Sequence, residues 1–183
     1  MDSITETIIE AAGKAIFSYG IRNFTIESLA GRPEIKGTGL PSHIQQKEDV
    51  FVLLLIKFEY ELHKMVDSIR GQALSPALEI ESLFRNLSGM FREKPYYLAI
   101  IFDSELKEQN KKTKEIIARI KGRAENYLTA LIDRGKKEKV FLTAENTKTL
   151  TNHILNSFRF LMNDLLLYAE LSKNLKMLKP YKN

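Results

Sequence analysis

Apolar residues recur at helical spacing along almost the whole chain. Ile4, Ile8, Ala11, Ala12, Ala15 and Ile16 form a stripe that stops at Gly20, and Ser3-Ile4-Thr5-Glu6 has the form of a capping box at its start. Thr25 is placed to cap a second helix, Ile26 to about Arg32, which Pro33 stops. A longer stripe of Val50, Phe51, Leu54, Phe58, Leu62, Met65 and Ile69 predicts a helix over 47–70. Ser75-Pro76 opens one to about Glu93, Pro95 one to about Gln109, and Lys112 one to Asp133 that Gly135 ends. Thr143 is placed to cap a last helix reaching about Leu171. The pattern predicts eight or nine helices, and no segment alternates convincingly as a strand would.

Composition narrows this further. Leu outnumbers Val by 24 to four, which favours helices over a sandwich or barrel. With no Cys there is no disulfide framework, thiolate zinc site or cysteine catalysis, and a reducing cytoplasm is the expected location. The first residues lack a basic start followed by an apolar block, and the longest apolar run, Val50 to Ile56, is too short to span a bilayer. The expectation is an all-α cytoplasmic protein without a membrane partner.

The formal charge of +5 is unevenly spread. Residues 1–47 hold five basic and five acidic side chains, residues 48–106 sum to −4, and residues 107–139 to +6. The basic stretch reads most simply as the solvated face of a helix. A nucleic-acid surface usually announces itself by a local basic excess, and the N-terminal segment has none.

A helix followed by two short helices around a tight turn is the unit that places its last helix in the DNA major groove. Ile8-Ile9-Glu10-Ala11-Ala12, Phe17, Gly20, Phe24-Thr25-Ile26, Leu29-Ala30, Leu40 and Lys47-Glu48-Asp49 are spaced without a gap. As a set this stretch resembles the N-terminal domain of the TetR (tetracycline-repressor-like) family of bacterial transcriptional regulators. The resemblance implies a three-helix DNA-binding domain over 1–47 and a helical ligand-binding and dimerisation domain over 48–183.

The departures from the family pattern fall where DNA contacts belong. Glu34 stands where Gly is usual in the turn, Gly39 is an extra glycine, and Pro41 lies inside the span of the expected recognition helix. A proline in a helix interior costs roughly 3 kcal/mol through a lost bond and a clash. With Thr38 as N-cap, Pro41 would be only the third helical residue, where an amide has no helical partner anyway. The expectation is therefore a late, short recognition helix over Gly39–Gln45. Thr25, Lys36, Thr38, Ser42, His43 and Lys47 are the candidate DNA contacts.

In the remainder no nucleophile elbow, HExxH or extended glycine-rich phosphate loop occurs, so no enzyme chemistry and no cofactor is expected. Glu59, His63 and Asp67 share one helix face, which reads as a polar face with local ion pairs before a metal site. The family resemblance implies an effector pocket between the middle helices. Phe58, Phe84, Phe91, Tyr96, Tyr97, Phe102 and Tyr127 are its candidate lining, suited to a small apolar or aromatic effector.

On the last helix Ile154, Phe158, Leu161, Leu165 and Tyr168 make one stripe and Leu155, Met162 and Leu166 a second. So wide an apolar girdle predicts a homodimer interface at Leu155, Phe158, Met162, Leu165 and Leu166. The expected function is a ligand-responsive repressor that binds a palindromic double-stranded DNA operator as a dimer. The alternative is a helical ligand-binding protein that keeps the scaffold without sequence-specific DNA recognition.

Overall fold

The structure is a computed structural model and describes residues 3–37, 39–103, 105–106 and 110–177, with side chains as far as residue 164. Among the described residues it is all-α, without a strand. The helices are α1 (Ser3–Tyr19), α2 (Ile26–Ala30), α3 (Pro33–Lys36), α4 (Lys47–Arg70), α5 (Pro76–Glu93), α6 (Tyr96–Phe102), α7 (Lys111–Lys137) and α8 (Thr147–Met177). Helices α1, α2 and α3 pack together at the N-terminal end, α1 also leans on α4 and α6, and α4, α5, α7 and α8 form the body. One continuous apolar core, from Ile8 to Met162, runs through both parts.

Side-chain caps fix where most helices begin. The Thr25 hydroxyl accepts from Ser28 N at 3.1 Å while Ser28 Oγ accepts from Thr25 N at 3.3 Å, a reciprocal capping box. Ser75 Oγ accepts from Leu78 N ahead of the first-turn Pro76, and Asn110 Oδ1 accepts from Thr113 N at 2.9 Å. At α4, Asp49 Oδ2 takes the amides of both Gln45, at 3.0 Å, and Gln46, at 3.1 Å.

Several boundaries differ from the sequence expectations, each for a local reason. Ser3 is the first described residue of α1 and lies within it, so a cap before the helix falls outside the described residues. Pro33 does not merely stop α2 but occupies the first position of α3. Helix α6 ends at Phe102 because Asp103 turns extended and its Oδ1 accepts from Leu106 N at 2.7 Å, capping a new turn. Gly135 does not end α7, which continues to Lys137; Gly135 is buried because the Phe141 ring lies directly over it, where a Cβ would clash. The cap of α8 is Asn146, whose Oδ1 accepts from Lys148 N at 2.9 Å, whereas the Thr143 hydroxyl accepts from Glu145 N in the preceding turn.

The largest departure is at residues 39–46. No helix spans Gly39–Gln45, and Thr38, its expected cap, lies outside the described residues. Gly39 sits at φ +70°, a left-handed conformation that closes α3 through a bond from its amide to Ile35 O at 2.8 Å. A helix cannot start through that residue. Beyond Pro41 only one turn forms, Ile44 N to Pro41 O at 2.9 Å, and the next two amides are held by Asp49 instead of by carbonyls one helical turn back. Ile35 and Ile44, 1% and 5% exposed, pin the two ends of the segment to the core.

Candidate functional site

The body holds a cavity of about 710 Å³ between α4, α5, α6, α7 and α8. Its inner wall is built from rings. Phe58 stacks on Phe91 with centroids 5.7 Å apart, and Phe158 sits 4.7 Å from Phe84 and 6.4 Å from Phe91. Leu62, Leu83 and Leu87 fill the spaces between them. An apolar concavity of this volume with convergent polar groups is the usual form of a small-molecule site.

Of the seven rings expected here, Phe58, Phe84, Phe91, Phe102 and Tyr127 line the cavity and Tyr96 and Tyr97 do not. Tyr97 packs on Phe58 from behind, 5.0 Å between centroids, and its hydroxyl donates to Glu61 at 3.3 Å. Tyr96 lies against Gly13 of α1, so close that a Cβ there would stand 2.5 Å from the ring. Burial pushes the Tyr96 phenol up to about 12, and burial with the nearby Glu61 carboxylate raises Tyr97 further still. Both tyrosines serve the join between α1 and the body.

That join is also polar. Lys57 Nζ meets Glu6 of α1 at 2.5 Å and Glu61 at 3.8 Å, and Glu61 meets Lys94 at 2.7 Å. Burial works to lower the Lys57 pKa, but the bond to Glu6 and the charge of Glu61 outweigh it and raise it.

No motif marks the polar rim of the cavity in advance. Arg70, Lys121, Arg123 and Arg159 line it, with Asn152 and Asn156. The Arg70 guanidinium lies 4.7 Å from the Tyr127 ring centroid and that of Arg159 5.5 Å from Phe102. Glu59, also on the lining, is held by Arg119 at 2.6 and 2.7 Å and by Arg123 at 3.2 Å, which keeps its carboxyl below the usual range. His63 pairs with Asp67 at 3.3 Å. Glu59 is thus held by arginines and His63 lies beside Asp67 on the α4 face, and the three do not converge on one point. Behind the wall the Tyr127 hydroxyl donates to buried Glu79 at 2.5 Å, and Arg134 pairs with the same carboxylate at 2.5 Å. Burial and that carboxylate raise the Tyr127 pKa.

Among the expected DNA contacts, Thr25, Lys36, Ser42 and His43 are all exposed at the N-terminal end and Lys47 is half-buried in the first turn of α4. Thr25 spends its hydroxyl on the cap of α2. Lys36 ends the one-turn α3, and Ser42 and His43 form the turn after Pro41.

Of the residues expected at a dimer interface, Phe158 and Met162 turn inward. Phe158 packs on Phe84 and Phe91, and Met162 is 6% exposed within the chain's own core. Leu155 is half-buried on the cavity lining, and the side chains of Leu165 and Leu166 lie outside the described residues. Among the described side chains of α8, the outward apolar groups are Phe160 and Leu161, 68% and 59% exposed. Periodicity marked an apolar helix correctly but did not separate its inner face from its outer one.

No protein-family model and no curated protein sequence matches the chain. Solved structures do. A TetR transcription regulator from Haloarcula marismortui superposes with a TM-score of 0.68 at 21% identity, covering 95% of this chain and 94% of that one. The fold is TetR-like. The fatty acid degradation regulator FadR from Bacillus halodurans gives 0.67 at 19% identity over 89% of this chain and 87% of its own. A protein of Syntrophomonas wolfei described as a TetR-family transcriptional regulator gives 0.66 at 13% identity, over 93% and 87%. In this TetR-like frame the cavity lies wholly outside α1–α3, and among the described residues no helix is long and apolar enough to cross a membrane.

Proposed function

We propose that the chain is a ligand-responsive transcriptional regulator that binds palindromic double-stranded DNA as a homodimer and releases it when a small apolar or aromatic molecule enters the cavity. The observation that carries this is the continuity of α4. Its first turn holds the 45–46 segment through Asp49, its middle supplies Phe58 to the cavity wall, and its last residue, Arg70, stands over Tyr127. One rigid element thus touches both the DNA-facing end and the ligand space, so each can bias the other through a single equilibrium. Phe160 and Leu161 on α8 are the apolar groups offered to a second copy, in a two-fold arrangement that would present two N-terminal units to successive major grooves.

Base contacts in this reading come from Ser42 and His43 in the turn and phosphate contacts from Lys36 and Lys47. Arg22 is engaged by Glu105 at 3.3 Å, which leaves few phosphate contacts and a shallow salt dependence. The second reading, a ligand-binding protein on the same scaffold without sequence-specific DNA recognition, is favoured by the one-turn α3. Selection from fragmented genomic DNA with the full chain at moderate salt separates the two. The regulator should enrich a palindrome, with His43→Ala weakening it by roughly 1–3 kcal/mol and Lys47→Ala weakening all DNA alike. Failure to enrich any palindrome would leave the second reading standing.

A further inference from the structure

The cavity is not neutral, and its charge constrains what fills it. Four cations, Arg70, Lys121, Arg123 and Arg159, share the lining with only two carboxylates, Glu59 and Glu125. Glu59 is already bound by Arg119, which is not on the lining, as well as by Arg123. Among the described residues, neither Lys121 nor Arg159 has a carboxylate within 4.0 Å, the limit for an ion pair. The Arg159 guanidinium is instead positioned by the face of Phe102. A guanidinium laid on a ring is held in place while its N–H edges stay free to donate to a planar anion.

A cationic ligand would meet net repulsion on entering. A neutral one gains nothing from the four cations, all of which are exposed to solvent at the rim of the cavity. An anion pairs with them at the rim, and beside Arg159 the face of Phe102 shields one side of that pairing from water.

We infer that the cavity takes an amphiphile with one anionic end, its apolar body against Phe58, Phe84, Phe91 and Phe158 and its carboxylate or similar anion between Lys121 and Arg159. This rests on the proposal that the cavity is an effector site. It adds the sign of the ligand's charge and the end of the cavity at which that charge lies.

The test uses the full chain and a neutral naphthylamine dye whose fluorescence rises in apolar cavities. Displacement is titrated with two matched pairs, dodecanoate against dodecanol and naphthoate against naphthol, below any micelle concentration. Each anion should bind about tenfold or more tightly than its alcohol. Arg159→Gln and Lys121→Gln should each remove most of that preference by weakening the anions far more than the alcohols, whereas a merely structural role for either residue would weaken both alike. Ala124→Phe, which fills the cavity, should abolish all displacement. Alcohols binding as well as or better than the anions would overturn the charge inference and leave the effector site intact. Dye binding that persists unchanged in Ala124→Phe, with no displacement by any of the four, would overturn both.

Discussion

The N-terminal unit and the helical body use the same kind of helix to opposite ends. Around α1–α3 the packing is closed: Ile8, Ala12, Phe24 and Leu29 are fully buried and Ile35 nearly so. The body keeps a partly open cavity of about 710 Å³ between five helices and lines it with rings and, at its rim, cations. Stability alone favours the first arrangement, because an unfilled space forfeits dispersion contacts on every side. The N-terminal unit shows the reverse: its interior is complete, while the helix expected over Gly39–Gln45 does not form.

Deleting one ring from each region should break the comparison most visibly if it is wrong. Phe24→Ala removes a fully buried ring packed 5.7 Å from Phe51 and should cost about 3–5 kcal/mol. Phe84→Ala, at a half-buried cavity wall, should cost nearer ~1 kcal/mol while weakening ligand binding. Urea unfolding midpoints of the two variants measure the difference, and equal losses would mean that the cavity is no looser than the N-terminal core.

The body offsets its gap with a polar bolt behind the wall. Arg134→Met would leave the buried Glu79 carboxylate with Tyr127 as its remaining partner, and the loss should be about 2–3 kcal/mol. A variant as stable as the parent would show that the pair is dispensable to the body.

A smaller effect belongs to the segment joining the two regions. Asp49→Ala frees the amides of Gln45 and Gln46 and should cost about 1 kcal/mol. Faster amide exchange confined to the residues around 42–46 would place the loss there, and uniform exchange would show that the turn is held by other means.

The smallest expected effect is in acid. The Glu59 pKa is lowered from its ordinary 4.5, chiefly by its bond to Arg119. Its contribution is therefore present above that ordinary value and fades as pH falls through the depressed one. Arg119→Gln should reduce stability slightly at neutral pH and flatten the loss on acidification. Parallel pH profiles for the two proteins would show that this pair does not matter.

The helical class was legible because it depends on apolar periodicity, which tertiary contacts rarely reverse in helices as long as α4 or α7. What escaped depends on competition between partners distant in sequence. No local pattern announces that Asp49 will hold the amides of 45 and 46, nor that Phe141 will fold back over Gly135. Tyr96 and Tyr97 belong in sequence with the aromatic cluster of the middle helices, yet the closeness of α1 at Gly13 draws Tyr96 to the join, and Tyr97 turns to Glu61. Lys121 and Arg123 fall in a basic stretch that reads as a solvated face, and both are exposed, but only the placement of α8 beside them makes that face the rim of a cavity.

The length of α4 gives the molecule a gear ratio. Its 24 residues form a rod about 36 Å long, so a tilt of about 5° at the Arg70 end carries the Lys47 end through roughly 3 Å. Adjacent base pairs are about 3.4 Å apart along a duplex. In the proposed regulator, a ligand that shifts the ring wall by less than the width of a methyl group would be felt, at the far end of the rod, as a slip of nearly one base pair.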